Sequence, residues 1–305
     1  MSALRVVWSP HYEVDIGEHV FPTHKYRFVR ERLLREGILD ESDFVEAKPA
    51  QADDLERVHT REYLRKIQDD AFSMSERLLL EVPFTPALRV ASVLCCGGTL
   101  LAARNALEDG VSVHLGGGFH HAFADHGEGF CLLNDVAVTA EALLQEGVVE
   151  RVLIVDLDVH QGNGTAAIFS HRENVFTFSM HQERNYPAHK PSSDLDVGLP
   201  DGLGDGPYLD ALESNLGIIL SSQPPELVIY LAGADPYRED QLGGLRLTLD
   251  GLSRRDAHVI GAARDAGAAV AVALAGGYAF RQDDTVSIHT ETVRQALKAR
   301  RQSGV

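Results

Sequence analysis

"RVLIVDLDVH", residues 151–160, decides the fold, because the apolar run Val152–Val155 passes directly into Asp156, Asp158 and His160. A run with no polar alternation suits a strand buried on both faces. Residues 156, 158 and 160 share parity, so an extended backbone would point all three side chains the same way. Two carboxylates and an imidazole at the end of a buried strand are a donor set for a metal.

Similar runs lie on either side: "LRVVW" (4–8), "VSVHL" (111–115), "NVFTFSM" (174–180), "ELVIYLA" (226–232) and "AAVAVALA" (268–275). Segments with helical spacing separate them, namely 24–37, 86–107, 137–147, 207–222 and 252–267. Such alternation predicts right-handed βαβ crossovers and a mostly parallel sheet flanked by helices. No linker, repeat or low-complexity stretch divides the 305 residues, so a single α/β domain spanning 1–305 is expected.

In an open α/β sheet the ligand sits beyond the carboxyl ends of the strands. "VSVHL" is followed by three glycines (116–118) and by His120 and His121; "ELVIYLA" is followed by Asp235, and "AAVAVALA" by Tyr278. A lone Asp in such a place commonly caps a helix, but the "DxDxH" run and the other strand-end groups favour a shared site. Asp158, His160 and Asp235 are the candidate metal ligands; three protein ligands leave a position open, as in catalytic zinc. The oxygen and nitrogen donors suit Zn²⁺, with Fe²⁺ or Co²⁺ as alternatives. "LGGGFHH" lacks the Lys and Ser/Thr of a Walker loop and does not fit G-x-G-x-x-G, which argues against a nucleotide.

The net charge of −17 argues against general nucleic-acid binding and suits either encounter with basic or cationic partners or simply a soluble acidic surface. Cys95, Cys96 and Cys131 have neither CxxC spacing nor even number, so buried free thiols are expected rather than disulfides or a cysteine zinc site. The opening "MSALRVVWSP" carries no charged region followed by an apolar one, so no secretion signal is expected, and no uninterrupted apolar run approaches the roughly 18 residues of a membrane helix. A cytoplasmic protein without membrane contact is expected.

The motifs "WSPHY", "GGGFHHA", "GEGFCLLND", "VDLDVHQGNGT", "FSMH", "GADPYRED" and "AGGYAF" together resemble the zinc-dependent histone deacetylase family. Within that family the bacterial deacetylase-like amidohydrolases and the class IV branch are most similar. The resemblance implies the arginase/deacetylase fold, a sheet of about eight strands, and one zinc on Asp158, His160 and Asp235. It implies that His120 and His121 are the catalytic histidines, with Asp156 partnering His120, and that Tyr278 steadies an oxyanion. Gly129 and Phe130 match the substrate-tunnel wall, and Tyr186 of "RNYP" would form the opposite wall. A structural K⁺ is implied at Asp156, Asp158, His160, Ser179 and Met180. Where many class I members carry Asp beside the second histidine, this chain has Asn163, a neutral amide that should leave His121 less basic. The implied substrate is an acylated lysine in a protein or peptide. The alternatives are an acylated polyamine, a binuclear manganese hydrolase of the arginase type, and a catalytically silent acyl-lysine reader.

Overall fold

The structure is a computed structural model and describes residues 4–302. Its strands are β1 (Val6–Trp8), β2 (Phe44–Glu46), β3 (Val111–His114), β4 (Val152–Asp156), β5 (Val175–Gln182), β6 (Leu195–Leu199), β7 (Leu227–Leu231) and β8 (Ala269–Ala273). They form one sheet in the order β2-β1-β3-β8-β7-β4-β5-β6, and every registered pair is parallel.

The helices are α1 (Lys25–Arg35), α2 (Ala52–Glu56), α3 (Arg61–Asp69), α4 (Met74–Leu80), α5 (Pro86–Asp109), α6 (Asp135–Gln145), α7 (Asn163–Phe169), α8 (Asp205–Ser222), α9 (Leu249–Asp265) and α10 (Gln282–Gln302). Alternate residues of the central strands face opposite layers, as the two-residue strand period requires. Ile154, Ile229 and Ala271 pack with Leu100 and Ala103 of α5 and with Val136 and Ala140 of α6. Val155, Val228 and Val272 belong to the other core, with Leu216 of α8, Val259 of α9 and Val293 of α10.

All six expected strands are present, and each of the five expected helices is found within a few residues of its predicted ends. Two strands escaped the search for continuous apolar runs because they lie at the sheet edges. β6 alternates half-buried and exposed positions before the buried Leu199, and β2 is three residues long with no fully buried side chain. The polar helix α10 and the short helices α2, α3, α4 and α7 were also absent from the sequence reading.

Helix α5 corrects the expectation about membrane-length segments: it is long and apolar enough to cross a bilayer, but most of it is buried within the fold. It packs on β3, β8 and α6. Cys95 and Cys96 lie on it, and they and Cys131 are buried free thiols as expected.

The middle of α5 carries adjacent glycines where other chain segments press against it. A Cβ on Gly97 would stand 1.8 Å from the Lys48 carbonyl oxygen, and one on Gly98 would meet the Tyr12 hydroxyl at 2.4 Å and His114 Nε2 at 2.5 Å. Alanine would otherwise favour the helix by about 1 kcal/mol, but at Gly97 it collides with backbone. Gly97→Ala should therefore lower stability by about 1–3 kcal/mol in a urea titration; an unchanged or raised midpoint would show that the 48–50 segment yields freely.

Candidate active site

The four central strands β3, β8, β7 and β4 end at the site. β4 stops at Asp156, Leu157 N–H still reaches the Leu231 carbonyl at 3.2 Å, and residues 158–160 then bend instead of continuing extended. The expected convergence therefore occurs, but strand parity is not its cause. Carboxylates capture the freed backbone N–H groups: Asp158 N donates to Asp156 Oδ1 at 3.2 Å, Val159 N to Asp235 Oδ1 at 2.9 Å, and His160 N to Asp158 Oδ1 at 3.0 Å. The bend and the ligands are thus made by the same groups.

Asp158, His160 and Asp235 each present one ligand atom, all lying within 4.8 Å of one another. His160 Nδ1 is 3.0 Å from Asp158 Oδ1 and 3.5 Å from Asp235 Oδ2. Donors bound tetrahedrally to one zinc lie about 3.3 Å apart, so the cluster fits such an ion. Asp235 Oδ2 is buried with no hydrogen-bond partner, a costly state that a cation relieves. Burial opposes a charged His160, yet Asp158 and Asp235 outweigh it and raise the imidazole to about 10. Burial and Asp158 raise Asp235 to about 7. Both shifts record a shortage of positive charge around two buried carboxylates. Gly276 permits the close approach: its N–H donates to Asp158 Oδ2 at 2.8 Å, and a Cβ there would lie 2.0 Å from Asp235 Oδ2.

The glycines before the histidines do not cradle a phosphate. Gly117 and Gly118 have φ of +69° and +82°, and the N–H groups of Gly118 and Phe119 donate to Asp135 at 2.9 and 2.8 Å. Asp135, buried at the start of α6, also accepts the Thr99 hydroxyl at 2.5 Å. The loop's donors are therefore spent on a carboxylate of the chain itself.

This loop sets His120 Nδ1 2.6 Å from Asp156 Oδ2 and His121 Nδ1 2.7 Å from Asn163 Oδ1, with the two Nε2 atoms 3.1 Å apart. Gly164 lets the start of α7 press against the same segment, where Thr165 N donates to the His120 carbonyl at 3.0 Å. Burial disfavours charge on both rings. For His120 the carboxylates of Asp156 and Asp158 prevail and raise it to about 9. His121 is pushed well below its ordinary value by burial and then by the charges of His120 and His160.

Phe130, Tyr186, Gly129 and Tyr278 line a cavity that reaches Asp158, His160 and both histidines. Phe130 adopts φ of +70°, and its N–H and that of Gly129 are held by the carbonyls of Leu80 and Leu79 at 2.9 and 3.2 Å. Gly129 fits between His121 and Tyr186, since a Cβ would meet them at 2.8 and 2.9 Å. Tyr278 is positioned by Asp240, which accepts its backbone N–H at 2.7 Å. Burial, then Asp158 and Asp235, raise the Tyr278 hydroxyl well above its ordinary value, so it keeps its proton. Ser179 lies beside Asp156 in the β4–β5 register with its Oγ paired to His181 Nδ1 at 2.9 Å, and Met180 is fully buried.

Several residues here were missed in the sequence. Phe21 stacks on Phe130 with ring centroids 5.9 Å apart, and Leu242 and Glu81 join the lining. Lys25 is fully buried, donates to the Ala275 carbonyl at 2.6 Å and lies 5.7 Å from the Tyr278 ring centroid. Burial pulls its ammonium down to about 8, against the opposing pull of Asp235 and Asp158. In sequence it reads as a solvated helix residue; only its position beneath two aromatic side chains, Phe21 and Tyr26, distinguishes it.

The family model described as the Histone deacetylase domain matches residues 19–293, which contain every one of these groups. The chain belongs to the histone deacetylase family. An uncharacterized protein of Picosynechococcus sp. is 40% identical over 292 residues, covering 95% of this chain and 97% of that one. Histone deacetylase 2 of Arabidopsis thaliana is 31% identical over 291 residues, 91% of this chain and 75% of the relative. The crystal structure of the HDA15 HD domain superposes with a TM-score of 0.79 at 27% identity, covering 97% and 89% of the two chains. As a deacetylase-family member the protein is a hydrolase of amide bonds. The family is zinc-dependent, and Asp158, His160 and Asp235 form the one metal-binding group of this kind among the described residues.

Purified chain should accordingly bind one Zn²⁺, with no second site of arginase type. Asp235→Asn should weaken that binding by at least about tenfold while far-ultraviolet dichroism stays unchanged. Two tightly held ions per chain, or full zinc retention in the variant, would contradict this assignment.

Proposed function

We propose that the protein is a zinc-dependent deacylase of acylated lysine side chains. The observation that carries this reading is an aromatic-walled cavity ending on the Asp158, His160 and Asp235 cluster beside a histidine pair and a protonated tyrosine. The stem of an acyl-lysine is apolar and its amide neutral, so both enter between Phe130 and Tyr186 at low desolvation cost. The free lysine formed by hydrolysis carries a charge that disfavours the same position, which promotes release.

A bound Zn²⁺ supplies Lewis acidity toward the amide carbonyl and lowers the pKa of water. His121, whose Nδ1 is held by Asn163, takes a proton from the attacking water at Nε2 and returns one to the departing amine nitrogen. His120, anchored to Asp156, fixes the orientation of that pair and holds positive charge beside it. The Tyr278 hydroxyl donates to the carbonyl oxygen as negative charge grows there. The β4–β5 register that sets Asp156 beside Ser179 supports a structural K⁺ at Asp156, Asp158, His160, Ser179 and Met180.

Glu81 on the cavity lining favours one second reading, an acylated polyamine whose free amines carry positive charge. Mass-spectrometric assay of the zinc-loaded chain on acyl-lysine peptides of several acyl lengths and on acetylated polyamines separates the two, with Asp158→Ala as control. Peptide turnover absent from the control is expected. Exclusive polyamine turnover would replace the lysine reading, and no turnover of either class would overturn both. Tyr278→Phe should retain zinc and lose about 10²–10³ in kcat; a near-normal kcat would remove the hydroxyl from the chemistry.

A further inference from the structure

We propose that Glu128 is a positioning residue for the histidine pair: through the Asn163 amide it fixes the tautomer of His121 and supplies the negative charge that the amide itself lacks. Its role as a positioner in catalysis rests on the deacylase reading above, whereas its effect on the tautomer does not.

Glu128 Oε1 accepts from Asn163 Nδ2 at 2.7 Å and from the Tyr186 hydroxyl at 2.8 Å, and Oε2 lies 3.6 Å from His126 Nε2. Burial alone would raise its carboxyl, but His126, Tyr186 and Asn163 together bring it below the ordinary value, so it is ionised. An ionised carboxylate only accepts hydrogen bonds. The Asn163 NH₂ must therefore face Glu128, which turns Oδ1 toward His121 Nδ1 at 2.7 Å. An amide oxygen also only accepts, so Nδ1 carries the proton of the neutral ring. His121 Nε2 is left with its lone pair, 3.1 Å from His120 Nε2.

The same geometry explains why an amide here needs an anchor that Asp would not. Both oxygens of an Asp accept, so either orientation of its carboxylate selects the Nδ1–H tautomer. An Asn turned through half a circle would instead offer NH₂ to His121 Nδ1 and move the ring proton to Nε2, which removes the base. Glu128 blocks that turn because its carboxylate cannot donate to the amide oxygen. It also ties the orientation of the base to the tunnel wall, since the same oxygen holds Tyr186.

Moving the charge by one residue tests this. Glu128→Gln can pair with either orientation of the Asn163 amide, so it should lower kcat on an acetyl-lysine peptide by about ten- to hundredfold with zinc retained. Asn163→Asp sets two carboxylates in contact and should also lower kcat. In the double variant the Gln NH₂ donates to the new carboxylate, and kcat should return to within roughly threefold of the unaltered chain. Losses that simply multiply in the double variant would overturn the proposal.

The second readout needs no substrate. ¹⁵N NMR of the zinc-loaded protein should show His121 with Nε2 unprotonated, and Glu128→Gln should shift a fraction of the proton to Nε2. An unchanged tautomer in that variant would overturn the proposal. A shifted tautomer in a chain that hydrolyses none of the substrates would uphold the link from Glu128 to His121 and remove the deacylase reading instead.

Discussion

Two carboxylates, Asp158 and Asp235, are buried within reach of a single imidazole, and this charge imbalance governs the arrangement of the rest. Their burial is possible because backbone donors satisfy three of their four oxygens: Val159 N–H holds Asp235 Oδ1, His160 N–H holds Asp158 Oδ1, and Gly276 N–H from the loop after β8 holds Asp158 Oδ2. Two positive side chains are buried nearby. Arg255 donates to the Gly233 carbonyl at 2.6 Å and the Leu157 carbonyl at 3.3 Å, which pins together the two loops that carry the ligands. Its charge is balanced by Asp256, which accepts the hydroxyls of Tyr230 and Thr292 at 2.6 Å each. Lys25 lies against the face of the Tyr278 ring. A metal centre of this composition depends on a parallel sheet whose central strands all deliver their carboxyl ends to one place.

The division of labour between the two histidines follows from what stands behind each ring. At His120 the carboxylates of Asp156 and Asp158 outweigh burial and favour charge, whereas burial and then the charges of His120 and His160 push His121 down, and the neutral amide behind it supplies no charge to outweigh them. Two identical side chains three ångströms apart are thereby set to opposite protonation tendencies, a recurrent arrangement where one group must hold charge and the other must move a proton. In the function proposed above, the aromatic cavity complements this by admitting a neutral amide and a hydrocarbon stem while disfavouring a free ammonium. The family defines the class of bond cleaved; the cavity and its acidic margin bear on what carries that bond.

Much of this was legible in the sequence because central strands of a parallel sheet are buried on both faces, and "RVLIV", "ELVIYLA" and "AAVAVALA" are apolar without interruption. The polar residue that ends each run is then conspicuous, and Asp156, Asp158, His160, Asp235 and Tyr278 were found in this way. β6 was not, because an edge strand alternates and so resembles a loop when only continuous runs are sought. Parity along an extended strand anticipated the meeting of Asp158 with His160, whereas a bend held by carboxylates achieves it. Glu128 and Lys25 were invisible for a different reason. One lies in a glycine-rich segment and the other in an amphipathic helix, so each reads as surface charge until tertiary packing shows what it touches.

The central claim is that Asp158, His160 and Asp235 together hold the catalytic zinc, and anomalous diffraction at the zinc edge from crystals of the loaded chain tests it most directly. The account predicts a single strong peak about 2.0–2.2 Å from one oxygen of each carboxylate and from His160 Nδ1. A peak on other side chains, or one that lacks either carboxylate as a ligand, would contradict it.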